Sequence, residues 1–247
     1  VMEIEPEIYK NIYKFMLPGD FIALMFSGTI QSTPSGLSEG ILWDFKNQSI
    51  ANSVLEKYKI SNKLVPEIVP TFSIQALVNQ NGAESSGLAV GTKITYRAGD
   101  QPNNALALAV LNPGQVAATG GTSGVVYGVT KSKDIKEMTR INSFAHVTYN
   151  NNNQILGKLL NINGAGIQYS WLKKILRIDS YELMNEMSEE IPIGSDNLQV
   201  FPFGNGSERI FENKILDSNF KNINFNIHSP GHMCRATLEG IAFSFNY

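Results

Sequence analysis

The sequence predicts an α/β layered fold, on three observations. Strand-like and helix-like stretches alternate throughout the second part of the chain. Apolar residues recur at helical spacing in several segments and alternate in others. The apolar share, 43% of 247 residues, is that of an ordinary globular protein that can bury a sizeable core.

Taken in order, Ile4, Ile8, Ile12, Tyr13 and Met16 fall at roughly helical spacing, so a helix is predicted over residues 3–16. Pro18-Gly19-Asp20 breaks that pattern and recaps a short helix, Phe21 to Phe26, which Ser27-Gly28 ends. Ser32 to Gly40, rich in Ser, Thr, Gly and Pro, reads as a loop. Ile50 to Tyr58 is helical, and Leu64 to Pro70 is a Pro-punctuated connection.

From Lys93 the character changes. Ile94 to Arg97 is a strand running into Ala98-Gly99-Asp100, and Asn103 to Val110 is an Ala- and Leu-rich helix. Gln115 to Thr119 and Gly124 to Thr130 are strands around a Gly-rich turn. Phe144 to Tyr149 and Gln154 to Ile162 are strands meeting at Asn150 to Asn153, a hairpin tip because Asn tolerates positive φ. Helices follow at Gly164 to Leu176 and Tyr181 to Ser188, then a strand at Leu198 to Phe203. A final helix, Pro230 to Tyr247, places Met233, Ala236, Leu238, Ile241, Ala242 and Phe245 on overlapping faces. A domain boundary is expected near residue 97, dividing the chain into 1–97 and 98–247. No internal repeat is visible.

Bulk properties exclude several classes. With a formal net charge of −2 and no basic stripe, a nucleic-acid backbone is not the expected partner. Lys131, Lys133 and Lys136 alternate with Asp134 and Glu137, the pattern of a solvated loop or helix face. Cys234 is the single cysteine, so neither an internal disulfide nor a cysteine metal cluster can form, which fits a reducing compartment. Phe21 to Phe26 is too short an apolar run to cross a bilayer, and these residues show no charged-then-apolar pattern with a small-residue cleavage site, so no leader is expected among them. A cytoplasmic protein with no membrane partner is expected. Val1 is not a start methionine and Tyr247 closes an apolar-periodic stretch without a cap, so the chain reads as part of a longer protein.

Three features can carry chemistry. Gly99-Asp100-Gln101-Pro102-Asn103-Asn104 lies where a strand passes into a helix, so the Asp100 carboxylate can project into a crevice outside the strand ends. Gly99 allows close backbone approach there. Local sequence favours the plainer role, in which Asp100 caps the helix. Thr119-Gly120-Gly121-Thr122-Ser123-Gly124 exposes backbone N–H groups in a turn that suits phosphate oxygens, or is simply a β-hairpin turn. It lacks the Gly-Lys-Ser/Thr ending of a Walker loop. Asn163-Gly164-Ala165-Gly166-Ile167-Gln168 opens a helix whose N-terminus favours an anion, or its glycines only permit tight packing.

The order of these motifs resembles the FGGY carbohydrate kinases: Ala98-Gly99-Asp100-Gln101, then Gly121-Thr122-Ser123-Gly124, then Gly164-Ala165-Gly166-Ile167-Gln168. The tail is similar to the family's second signature, through Ser218, Phe220, Asn222, Ile223, His232, Met233, Ala236, Thr237, Leu238 and Glu239. Asn222 stands where the family has Gly, a mild departure because Asn also visits the left-handed region. Gly204 to Arg209 resembles the family's Gly-x-Glu-Arg turn, and Ser35 to Gly40 with Trp43-Asp44 looks like the segment found in the xylulokinase branch. The family's N-terminal Asp-x-Gly-Thr hairpin, its early sugar contacts and its late adenosine-binding segment do not occur here.

The resemblance implies an actin-like ATPase (ribonuclease H-like) fold, the chain spanning the end of a sugar-binding first domain and the start of an ATP-binding second. It implies γ-phosphoryl transfer from ATP to a ketose hydroxyl, with Mg²⁺ accompanying the nucleotide and no metal ligand from these residues. Asp100 would be the base and Gln101 would orient the sugar; Gly121, Thr122 and Ser123 would hold phosphates, and Gly164 and Gln168 would lie along the nucleotide. A glycerol or other polyol acceptor stays open, as do a non-catalytic actin-like sensor and a homodimer. A chain of this length is expected to be silent by itself. His146, His228 and His232 are expected to be structural, Trp43 and Trp171 to pack in the core, and Glu208-Arg209 to form a turn with a charge pair.

Overall fold

A computed structural model describes residues 2–131 and 139–247; of the lysine-rich stretch, Lys133, Asp134, Lys136 and Glu137 lie outside the described residues. The chain divides into two compact units, the first formed mainly by residues 1–115 with 143–157, the second mainly by 116–127 and 158–247.

The first unit opens with α1 (Pro6–Lys10) and α2 (Pro18–Ser27). The helix expected over residues 3–16 is shorter, Pro6–Lys10: Pro6, which favours the first helical position, sets its start, and it ends at Lys10. α2 starts on Pro18 and stops on Gly28, whose φ of 74° is the left-handed C-cap that glycine allows.

The expected loop over 32–40 is instead β1 (Gln31–Ser32) followed by α3 (Pro34–Glu39). Its Ser/Gly/Pro composition conceals a helix start: the Thr33 hydroxyl accepts the Gly36 N–H at 3.2 Å, and Pro34 sits at the first helical position. Then come β2 (Trp43–Asp44), β3 (Ser49–Ile50), α4 (Asn52–Lys57), β4 (Glu67–Ile68), β5 (Phe72–Leu77) and α5 (Gln80–Ser86). β6 (Lys93–Tyr96) pairs antiparallel with β5 and leads to α6 (Asp100–Ala107), which starts three residues earlier than expected.

The Gly-rich turn joins β7 (Val116–Gly120) to β8 (Gly124–Thr130); β9 (Asn142–Ala145) and β10 (Leu156–Ile162) complete a sheet of order β7-β8-β10-β9. The Asn150–Asn153 tip forms as expected but for a different reason. None of its residues has positive φ. The Asn150 side-chain oxygen accepts the N–H groups of Asn152 and Asn153 at 3.0 and 2.9 Å, an Asx turn. Trp43, Leu55, Val65, Tyr149 and Leu156 form the core of this unit, each fully buried large side chain contributing about 1.5–3 kcal/mol.

In the second unit α7 (Ala165–Leu176), α8 (Tyr181–Glu189), β11 (Gln199–Phe201), β12 (Asn219–Lys221) and α9 (Pro230–Asn246) follow the expected order. Leu172, Met184 and Cys234 form one core cluster, and Leu198, Val200 and Ala236 another. Asn222 has a φ of 65°, the left-handed conformation anticipated for it in place of Gly. No described helix is long and apolar enough to cross a membrane.

Candidate active site

In the first unit, the end of β6 is anchored from below. The buried Arg97 guanidinium donates to the Gln75 side-chain oxygen at 2.8 Å and the Gln31 carbonyl at 3.0 Å, and lies 3.5 Å from the buried Asp20 carboxylate. Burial pushes Asp20 above its ordinary value, and Arg97 opposes that shift.

The chain then turns into α6 with three successive N–H groups held by α3. Ser35 Oγ accepts the Gly99 N–H at 3.2 Å, Glu39 Oε2 the Asp100 N–H at 2.8 Å, and Glu39 Oε1 the Gln101 N–H at 2.9 Å. Asp100 is therefore not the cap that local sequence favoured. It is the first residue of α6, exposed, and a carboxylate 61 residues away does the capping. Burial pushes the Glu39 carboxyl up to about 7; the two N–H bonds oppose that shift and the neighbouring Asp100 carboxyl adds to it.

In the second unit the Gly-rich turn is locked to the start of α7. The Gly166 N–H donates to the Gly121 carbonyl at 3.1 Å and the Ile167 N–H to the Thr122 carbonyl at 3.0 Å, while the Gly121 N–H closes the turn on the Ser123 carbonyl at 3.0 Å. These first-turn amides of α7 are thus committed to protein. A Cβ at position 166 would collide with the Gly121 carbonyl, and one at 164 with the Pro202 carbonyl, so tight packing needs both glycines. Gly121 and Thr122 remain exposed, Ser123 partly so.

Beside this junction a pocket of about 350 Å³ is lined by Gly164, Gln168, Trp171, Gly204, Asn205 and Ser218. Gln168 Nε2 and Ser218 Oγ are buried there without a hydrogen-bond partner. An unmet buried polar group costs about 1–3 kcal/mol, which a polar ligand would recover. Trp171 is not the core residue expected: it is 46% exposed and forms a wall of this pocket. Trp43 does pack in the core, its indole N–H donating to the Tyr149 hydroxyl at 3.1 Å.

The remaining conspicuous groups are structural. His232 accepts the Ser229 N–H in a capping box and faces Asp196 Oδ2 at 3.0 Å, and His228 is tied to Asn224 and to the Asp196 carbonyl. Glu208 takes the Asn161 amide at 2.6 Å, and among the described residues no ion pair joins it to Arg209, contrary to the expected charge pair. A second pocket of about 530 Å³ between β11 and α9 is largely apolar; its carboxylate, Glu239, is already bound by Arg235, the Gly194 N–H and Ser195.

The sequence named Asp100, Gln101, Gly121, Thr122, Ser123, Gly164 and Gln168; the structure sets the first two on the α3–α6 corner, the next three in the turn and the last two in the smaller pocket. It adds Ser35, Glu39, Asn205 and Ser218. Only the one-turn spacing of Ser35 and Glu39 could have hinted at a paired grip.

Residues 1–107 match the model of the FGGY family of carbohydrate kinases, N-terminal domain. The xylulose kinase of Bacillus subtilis is 25% identical over 247 residues, covering 100% of this chain and 48% of its own. That of Lactococcus lactis is 28% identical over 248 residues, covering 99% and 48%. The chain thus spans about half the length of the curated relatives it matches. The solved xylulose kinase of Rhodospirillum rubrum superposes with a TM-score of 0.88 at 22% identity over 98% of this chain and 48% of that one. The Plasmodium falciparum glycerol kinase with ADP gives 0.86 at 21%, over 99% and 49%.

The fold is the actin-like α/β fold of the sugar kinases. Residues 1–107 are similar to the N-terminal domain of the FGGY carbohydrate kinases, and among the relatives the xylulose kinases align along nearly all of the chain.

Proposed function

We propose that the complete protein transfers the γ-phosphoryl group of ATP to a hydroxyl of a ketose, D-xylulose first among them. The observation that carries this reading is the exposed Asp100 carboxylate: at the start of α6 it does no capping, because Ser35 and Glu39 hold the N–H groups there, and its acidic neighbour among the described residues is Glu39. Phosphoryl transfer asks little covalent work of a protein; it asks for positioning, charge neutralisation and a group to accept the hydroxyl proton. Asp100 takes that proton, and the Gln101 amide orients the sugar. The alignment with xylulose kinases supports D-xylulose as acceptor.

Gly121, Thr122 and Ser123 hold the phosphates, and Gly164 and Gln168 the rest of the nucleotide. The unpartnered Gln168 amide and Ser218 hydroxyl suit a polar ligand such as a nucleoside. Mg²⁺ bound with ATP supplies neutralising charge on the phosphates. In this reading residues 1–97 serve the sugar and 98–247 the nucleotide.

The test is ATP consumption by the full-length protein across D-xylulose, other ketoses, gluconate and glycerol. Turnover highest with D-xylulose supports the reading. Preference for glycerol or gluconate moves the acceptor, and no consumption with any of them removes the kinase assignment.

A further inference from the structure

We infer that Glu39 is a positioning residue, gripping the backbone at Asp100 and Gln101 from α3 so that both side chains face the reaction. This rests on the kinase reading above. Both carboxylate oxygens are used, one on each successive N–H group, which fixes the start of α6 in two directions. Ser35, one turn earlier on α3, holds the preceding N–H.

Gly99 is explained by the same contact. Its φ of −63° is open to any residue, so conformational freedom is not why glycine stands there. A Cβ at position 99 would run into the Glu39 carboxyl group. A long acid at 39 and a bare backbone at 99 are therefore two halves of one fitting, made by residues that local sequence cannot relate.

The grip differs from a plain helix cap because it touches the acid it positions. Burial and the Asp100 carboxyl together push Glu39 up to about 7. Among the described residues, the charged group acting on Glu39 is Asp100 on α6. α3 carries no other ionisable side chain, and Arg97, at the end of the strand leading in, is turned into Gln75, Gln31 and Asp20. Below about pH 7 a neutral Glu39 adds no charge beside the base; above it, a second carboxylate repels an incoming phosphoryl donor.

The test uses the full-length protein with Glu39→Gln, Glu39→Ala, Gly99→Ala and the Glu39→Ala/Gly99→Ala pair. Glu39→Ala is expected to lower kcat by about 10- to 100-fold, the cost of a small misplacement, with KM for ATP unchanged. Gly99→Ala is expected to lower kcat as well, and to add nothing once Glu39 is gone. The fall of wild-type kcat/KM above about pH 7 should be missing from Glu39→Gln; titration of ATP is common to both proteins and cancels. Losses at 39 and 99 that multiply, or a Glu39→Gln profile identical to wild type, overturn the inference. Should the alanine variants not fold, Glu39→Gln, nearly the same size, still decides by its pH profile. If wild type phosphorylates no acceptor, the kinase reading fails and takes the positioning role with it; coupling of 39 and 99 in thermal unfolding then reports the contact alone.

Discussion

The α3–α6 corner and the junction of the Gly-rich turn with α7 solve one problem, fixing the start of a helix, by different means. At the corner, side chains hold main chain: a hydroxyl and a carboxylate reach back across 64 and 61 residues to successive N–H groups. At the junction, main chain holds main chain, Gly166 and Ile167 donating to the carbonyls of Gly121 and Thr122. A side-chain fitting can be retuned by protonation or by a change of one atom. A backbone fitting has nothing to titrate and fails only when bulk is forced into it. The corner carries the group assigned to proton transfer, and the junction carries the groups assigned to phosphate.

The largest effect should come from the corner's own acid. Asp100→Asn in the full-length protein is expected to lower kcat by about 10²–10⁴-fold, the usual contribution of a general base, while ADP binding by calorimetry stays as in wild type. Turnover near the wild-type rate would remove Asp100 from the base role and leave the corner as architecture only.

The junction should break through volume instead. In Gly166→Ala the new methyl meets the Gly121 carbonyl, and overpacking of this kind costs about 1–3 kcal/mol. The loss in thermal stability should be the same at acid and neutral pH, since no ionisable group joins the contact. A pH-dependent loss would erase the distinction drawn between the two regions.

What the sequence disclosed follows the same divide. Long periodic stretches with their own caps were readable: α7, α8 and α9 begin and end close to where period and Pro230 place them. The order of the three glycine motifs pointed to the carbohydrate kinases that the chain resembles without any contact being known. The grip of Glu39 on Asp100 was not readable, because it joins residues 61 apart and the Ser/Gly/Pro composition of 32–40 hid the helix that presents Glu39. Capping by Asp100 was the sound local inference; in the structure Gly99 takes the N-cap position, and Glu39 from α3 holds the N–H groups of Asp100 and Gln101. Trp171 was misread because helical period shows which residues share a face, not whether that face is covered.

A smaller effect tests the pocket beside the junction. Gln168→Leu keeps the volume and removes the buried amide that lacks a partner. Without nucleotide the variant should be more stable by about 1 kcal/mol, since the desolvation cost of that amide disappears. Its affinity for ADP should fall at the same time. Gain of stability with loss of ligand is the pattern of a group kept for binding; loss of stability with unchanged ADP affinity would make Gln168 a packing residue.

The smallest expected effect is a cancellation inside the first unit. Glu39 is raised from 4.5 to about 7 by burial, with the Asp100 carboxyl adding to it, so its contribution is full below pH 4.5 and is lost as pH rises through about 7. His146, fully buried, is pushed down from 6.5 to about 4 by burial against a hydrogen bond with the Val110 backbone. Its contribution is full above pH 6.5 and is lost as pH falls through about 4. Between 4.5 and 6.5 the two slopes oppose each other, so the wild-type unfolding temperature should change little there. Relative to wild type, Glu39→Gln should gain stability as pH rises through that window, and His146→Gln should gain as it falls. Melting curves across the window read both slopes. If the Glu39→Gln difference does not vary with pH, Glu39 does not exchange its proton in the folded state, and the corner is as untitratable as the junction it was contrasted with.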